Sequence, residues 1–161
     1  MEAPWDEARE KLLRVENLRT YFHTPDGVVK AVDGASFALD RGEALAVVGE
    51  SGCGKTVTAL SIMRLIPDPP GKIEEGKIFF EGRDLLELGD REMRQVRGNH
   101  IGMIFQDPMT SLNPVFKVGD QIREAVQLHL GLSRKEAKER AIQLMEMAEI
   151  SQARERYGMY P

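Results

Sequence analysis

The 161-residue chain, 42% hydrophobic and 30% charged, has the make-up of an ordinary globular protein and length enough for one full domain but not two. Its net charge of −4 at pH 7 denies it the basic field of a general nucleic-acid binder, and no apolar run nears the roughly 18 residues of a membrane span. The single cysteine, Cys53, excludes an intrachain disulfide, and the acidic, polar stretch from Met1 to Glu10 does not read as a secretory leader.

Leu12–His23 alternates apolar and polar residues and predicts a strand. Pro25-Asp26-Gly27 predicts a turn, because proline presets φ and glycine tolerates positive φ. Val28–Leu39 predicts a second strand, with a possible break near Gly34, so the two form an antiparallel hairpin-like layer. Arg41-Gly42-Glu43 is the next turn. Ala44–Val48 is continuously apolar, which predicts a short strand buried on both faces. A glycine-rich loop follows, then a helical pattern over Thr56–Ile66 that Pro67-Asp68-Pro69-Pro70-Gly71 ends.

Lys77–Phe80 predicts another strand. Asp90 is positioned to cap a short charged helix to Arg97. His100–Phe105 predicts a strand running into Gln106, and Pro108–Pro114 a loop. Val118–Leu130 predicts a helix with Val118, Ile122, Ala125, Val126 and Leu130 near one face. Ser133 and Glu136 form a capping-box pattern before a helix over Arg134–Ile150, with Ala137, Ala141, Leu144, Met145 and Ala148 on one side. Tyr157–Pro161 reads as an irregular end. His23, His100 and His129 have no metal-ligand spacing.

Gly49-Glu50-Ser51-Gly52-Cys53-Gly54-Lys55-Thr56 matches the phosphate-binding pattern G-x-x-x-x-G-K-[ST] at every fixed position. The glycines let backbone amides converge on an anion without Cβ clashes. The following helix, through Val57, offers unpaired amides and the positive end of its dipole. Lys55 can reach the β- and γ-phosphates as a mobile charge. The Thr56 hydroxyl suits Mg²⁺, a hard cation that prefers oxygen. Cys53 occupies a free position of the pattern; a small filler fits there, and alkylation of its thiol should block the loop sterically.

The loop alone does not choose among kinases, GTPases and transport ATPases. Leu18–Phe22, Val32–Phe37 and Arg41-Gly42-Glu43 ahead of it resemble the N-terminal region of ABC ATPases. Ile104–Pro108 resembles their Q-loop. The continuation Met109–Pro114, like Pro67–Lys72, resembles the oligopeptide/dipeptide importer subfamily. The resemblance runs from about Leu12 to Pro161. It implies an α/β fold with a P-loop NTPase core, an N-terminal antiparallel strand layer and a C-terminal helical segment. It divides the chain into a tail (1–11), a partial nucleotide-binding core (12–106) and the start of a helical subdomain (107–161). It implies ATP and Mg²⁺ as cofactors. Phe22, or alternatively Tyr21, is implied to stack on the adenine, and Gln106 to contact Mg²⁺ or the attacking water. The implied partners are a second ATPase subunit and membrane permease subunits, with no nucleic acid. The implied location is the cytoplasmic face of the membrane, held there by those partners.

The family places a Leu-Ser-Gly-Gly signature, a strand ending in Asp-Glu and a switch histidine after the Q-loop, and none of these is present. The expectation is therefore a truncated member that binds ATP and, alone, does not hydrolyse it. Without the family's neighbouring strand, Ala44–Val48 is expected to expose an apolar edge and to make the chain aggregation-prone. The alternatives are a non-catalytic nucleotide-binding remnant, or an ABC ATPase for another cargo such as nickel.

Overall fold

The computed structural model describes residues 11–106 and 111–161. The chain divides into two compact units, one running to Met93 and the other starting at Arg94.

The first unit is built on a four-stranded antiparallel sheet. Its strands are β1 (Leu13–Thr24), β2 (Gly27–Leu39), β3 (Gly71–Phe80) and β4 (Arg83–Asp84), in the order β2-β1-β3-β4. The Pro25-Asp26 turn closes the β1–β2 hairpin as expected, and Thr24 Oγ1 donates to the Gly27 carbonyl at 2.8 Å. A bulge interrupts β1 after Val15. Asn17 there has φ 46, and its amide donates to Ser36 Oγ at 2.8 Å. Opposite it, Gly76 sits at φ +109, where an added Cβ would lie 2.7 Å from Leu18 Cα. Only glycine admits that approach. The bulge moves the inward face from Val15 to Leu18 and Thr20, and Tyr21 and Phe22, as strand neighbours, point to opposite sides.

Helix α1 (Lys55–Ile62) is tied to β1 by a buried hydrogen bond between Thr20 and Ser61, Oγ1 to Oγ 2.8 Å. Ser61 Oγ also donates to the Val57 carbonyl at 2.7 Å. The helix stops at Ile62 and not at the expected Ile66. Arg64 takes φ 50, its amide donates to Ser61 O and the Leu65 amide to Leu60 O, which together form a Schellman end. The Arg64 guanidinium donates to the carbonyls of Leu85 (3.2 Å) and Leu88 (2.6 Å), which fixes that left-handed residue. Helix α2 (Asp90–Val96) begins at Asp90, so Asp90 is its first residue and not its cap; Glu92 accepts from the Gly89 amide at 3.1 Å instead. Val15, Leu18, Val32, Met63, Ile78, Phe80, Leu85 and Met93 are the buried apolar side chains of this unit.

Two expected strands do not form. Ala44–Val48 has no regular secondary structure, pairs with nothing among the described residues, and is exposed throughout. A strand buried on both faces needs neighbours on both edges, and the sheet ends at β2 on one side and β4 on the other. His100–Phe105 makes only an isolated parallel bridge, Arg97 to Ile101, and Ile104 is 97% exposed.

The second unit holds α3 (Val118–Leu130), α4 (Arg134–Met147) and α5 (Ala153–Arg156). The capping box at Ser133 and Glu136 is present. Ala141, Ile142, Met145, Ala153 and Tyr157 form the core, with Val118, Ile122 and Ile150 packed on it. The apolar stripes are narrower than expected: Ala125, Leu130 and Ala148 are exposed, and α4 ends at Met147, three residues before Ile150. Among the described residues no helix is long and apolar enough to cross a membrane.

Candidate functional site

The glycine-rich loop leads directly into α1. Gly54 is the N-cap, at φ 91 and ψ 2. An added Cβ there would lie 2.2 Å from the Ala31 carbonyl oxygen of β2, so the loop is seated against the sheet backbone at this point. Ser51 and Gly52 form an exposed turn, closed by the Cys53 amide donating to Glu50 O at 3.3 Å. Gly52 sits at φ +83 with nothing within 4 Å of an added Cβ. Against Gly49, an added Cβ would meet Cys53 Sγ at 2.5 Å.

Lys55 folds back over the loop. Its Nζ donates to the carbonyls of Gly49 (2.7 Å) and Glu50 (2.8 Å) and approaches Cys53 Sγ at 3.5 Å. No carboxylate pairs with it among the described residues, so its charge is not neutralised. No acidic residue lies in the first turn of α1, and no side chain caps its N-terminus. The helix therefore presents its positive end, with the amides up to Val57, to whatever occupies the loop. Thr56 is exposed in that turn. Loop, lysine and hydroxyl together fit a phosphate chain with an oxygen-seeking cation: directed amides, an unpaired ammonium and a free-facing oxygen.

A cavity of about 290 Å³ adjoins the loop. Cys53, Gly54 and Lys55 line it with Ala31, Asp33 and Val47. The wall from β2 and from Ala44–Val48 was not singled out in the sequence as part of the site. The Asp33 carboxylate accepts from the Tyr21 hydroxyl at 2.7 Å, and the Lys30 ammonium lies 5.2 Å from the Tyr21 ring centroid. The Tyr21 bond, then the nearby charges of Lys30 and Arg19, hold the Asp33 pKa below the usual carboxylate value against the effect of desolvation. The Tyr21 hydroxyl is correspondingly pushed up. Phe22 packs on the other face, where Gly71 leaves room: an added Cβ on Gly71 would meet Phe22 Cε1 at 2.8 Å and Ile66 Cγ2 at 2.5 Å.

Gln106 belongs to the second unit and is exposed. Asp107, Pro108, Met109 and Thr110, the rest of the expected Q-loop and part of its continuation, lie outside the described residues.

Residues 32–160 match the family described as ABC transporter. A probable peptide ABC transporter ATP-binding protein of Sinorhizobium fredii is 52% identical over 150 residues, covering 93% of this chain and 45% of that protein. An oligopeptide transport ATP-binding protein of Bacillus subtilis is 52% identical over 151 residues, covering 94% of this chain and 42% of that protein. The chain thus spans somewhat under half the length of these curated relatives. Among solved structures, a dimeric ATP-binding cassette in a post-hydrolysis state, bound to ADP and Pi, matches with a TM-score of 0.78 at 21% identity. That match covers 92% of this chain and 61% of the cassette, and it shows the fold.

Proposed function

The chain belongs to the ABC transporter family, and we propose that it is the nucleotide-binding part of an ATP-binding subunit of a peptide importer. The observation that carries this reading is the loop at Gly49–Thr56: a Gly54 that only glycine can fill, and a Lys55 ammonium held by carbonyls with no carboxylate partner among the described residues. The peptide class is supported by the names of the relatives in Sinorhizobium fredii and Bacillus subtilis.

ATP and Mg²⁺ are the proposed ligands. When bound, ATP with Mg²⁺ supplies a phosphoryl group whose charge the metal partly neutralises. The residues of this chain do the binding. The amides of the loop and of the first turn of α1 take the phosphate oxygens, and Lys55 leaves the Gly49 and Glu50 carbonyls to face them. Thr56 offers its hydroxyl to Mg²⁺. Gln106 keeps the role its resemblance implies, contact with Mg²⁺ or the attacking water. Adenine stacking falls to Tyr21 or Phe22; the bond from Tyr21 to Asp33 at the cavity wall supports the former. No Asp-Glu pair closes an apolar run after Gln106, so this chain by itself is proposed to hold ATP without turning it over. A second ATPase subunit and membrane permeases are the proposed partners, and they would hold it at the cytoplasmic face.

The test is uptake. In cells whose importer carries Lys55→Ala, accumulation of a labelled oligopeptide should cease while the protein level holds. Undiminished uptake would refute the importer reading.

A further inference from the structure

The second unit contains a cavity of about 660 Å³ lined from α3, α4 and α5. Six cations line it, Lys117, Arg123, Arg134, Lys135, Lys138 and Arg154, against the single carboxylate of Asp120. Asp120 is committed to Arg123 at 3.0 Å, and Glu139 holds Arg154 at 2.8 Å. Lys117, Arg134, Lys135 and Lys138 have no ion pair among the described residues.

Two features set this cluster apart from a solvated charged face. The first is the placement of charge on α4. Arg134 and Lys135 are its first two residues, Lys138 lies one turn on, and Glu136 is the only acid in the first turn. Cations at the positive end of a helix dipole lower its stability, and a bound anion, attracted both by the dipole and by the cations, would offset that. The second is Tyr157. It is 8% exposed, and its ring packs on Gly119, where an added Cβ would lie 2.2 Å from the ring. Its hydroxyl is buried beside the Arg123 guanidinium, with Asp120 and Arg134 close by, and all three residues line the cavity. Arg123 Nε is buried there as well, with no hydrogen bond of its own among the described residues. An anionic acceptor in the cavity would give these buried donors a charge-assisted partner.

We propose that this cavity is a binding site for a phosphate-bearing anion, with Arg134 and Lys138 supplying charge and the Tyr157 hydroxyl and Arg123 supplying directed donors. Guanidinium forks and a hydroxyl converging from three helices suit an anion with several oxygens on a tetrahedral centre. The phosphate could belong to a soluble anion or to a phospholipid headgroup, and one experiment separates these sources. The full chain carrying Lys55→Ala, which disables the glycine-rich loop, is titrated calorimetrically with pyrophosphate. The same chain is floated with phosphatidylcholine vesicles, with and without phosphatidylglycerol.

Saturable binding in at least one arm is expected. Pyrophosphate binding identifies a soluble anion, and binding to the anionic vesicles alone identifies a headgroup. Arg134→Gln combined with Lys138→Gln, both at exposed positions, should weaken that binding by about tenfold or more. Tyr157→Phe, which keeps the ring packing, should weaken it several-fold with an unchanged circular dichroism spectrum. Binding in neither arm by a folded chain, or binding that both variants leave intact, overturns the proposal. Either result leaves the nucleotide reading untouched, because the loop lies in the other unit and is already disabled.

Discussion

Replacing Gly54 by alanine tests how the glycine-rich loop is seated, and Gly52→Ala supplies its internal control. Both glycines have positive φ, +83 at Gly52 and +91 at Gly54. An L side chain in that region costs about 1–2 kcal/mol. Alanine recovers about 0.4–1 kcal/mol of that by restricting the unfolded chain. Gly52→Ala should therefore destabilise the fold by about 1 kcal/mol, since its Cβ would meet nothing within 4 Å. Gly54→Ala carries the same backbone cost and adds a collision at 2.2 Å with the Ala31 carbonyl oxygen. That oxygen is backbone, so no rotamer change relieves the contact, and either β2 or the loop must move. Overpacking of this kind adds about 1–3 kcal/mol. Urea unfolding followed by circular dichroism reads both variants against the parent. Gly54→Ala should be the less stable of the two, and its ATP affinity should fall about tenfold for each 1.4 kcal/mol spent in displacing the loop. Equal stability of the two variants, or a Gly54→Ala chain that binds ATP as the parent does, would refute the reasoning.

Stoichiometric alkylation of the exposed Cys53 should abolish ATP binding, because its Sγ lies 3.5 Å from the Lys55 ammonium, and ATP should slow the alkylation; full binding by labelled protein would contradict this. Tyr21→Phe removes the hydrogen bond that chiefly lowers the Asp33 pKa, so the Asp33 midpoint should rise in a carboxyl NMR titration. The sign follows from linkage: a carboxylate with a depressed folded pKa stabilises the fold above its unfolded value, and that contribution disappears as pH falls through the folded value. The variant should lose it at a higher pH than the parent, and coincident titrations would rule the coupling out. Val48 is 88% exposed at the end of an apolar run that pairs with nothing among the described residues, with Leu45 46% and Val47 55% exposed. Val48→Lys should reduce light scattering of concentrated protein with little change in the unfolding midpoint; unchanged self-association would place the sticky surface elsewhere.

The parts legible in the sequence were those whose signals are local. The β1–β2 hairpin follows from alternation around Pro25-Asp26-Gly27, and the α4 start from Ser133 and Glu136. The loop follows from residue types whose roles do not depend on distant chain. What sequence could not supply depends on neighbours. Ala44–Val48 has strand composition, yet a strand exists only when paired, and nothing among the described residues pairs with it. His100–Phe105 fails in the same way. The early stop of α1 depends on Arg64, whose left-handed φ is held by carbonyls about twenty residues further along, at Leu85 and Leu88. The bulge at Asn17 and Gly76 was equally hidden, although it helps set which residues of β1 face inward. Asp33 as a wall of the loop cavity emerges only from the pairing of β1 with β2.

The central claim is that the loop at Gly49–Thr56 is a working phosphate cradle, and calorimetric titration of the chain with ATP and Mg²⁺ tests it most directly, with Lys55→Ala as the control. The account predicts saturable binding by the parent and affinity weaker by at least about tenfold in the variant, the loss expected when a charge-assisted contact is removed. No binding by a demonstrably folded parent, or equal affinity in the two chains, would contradict it.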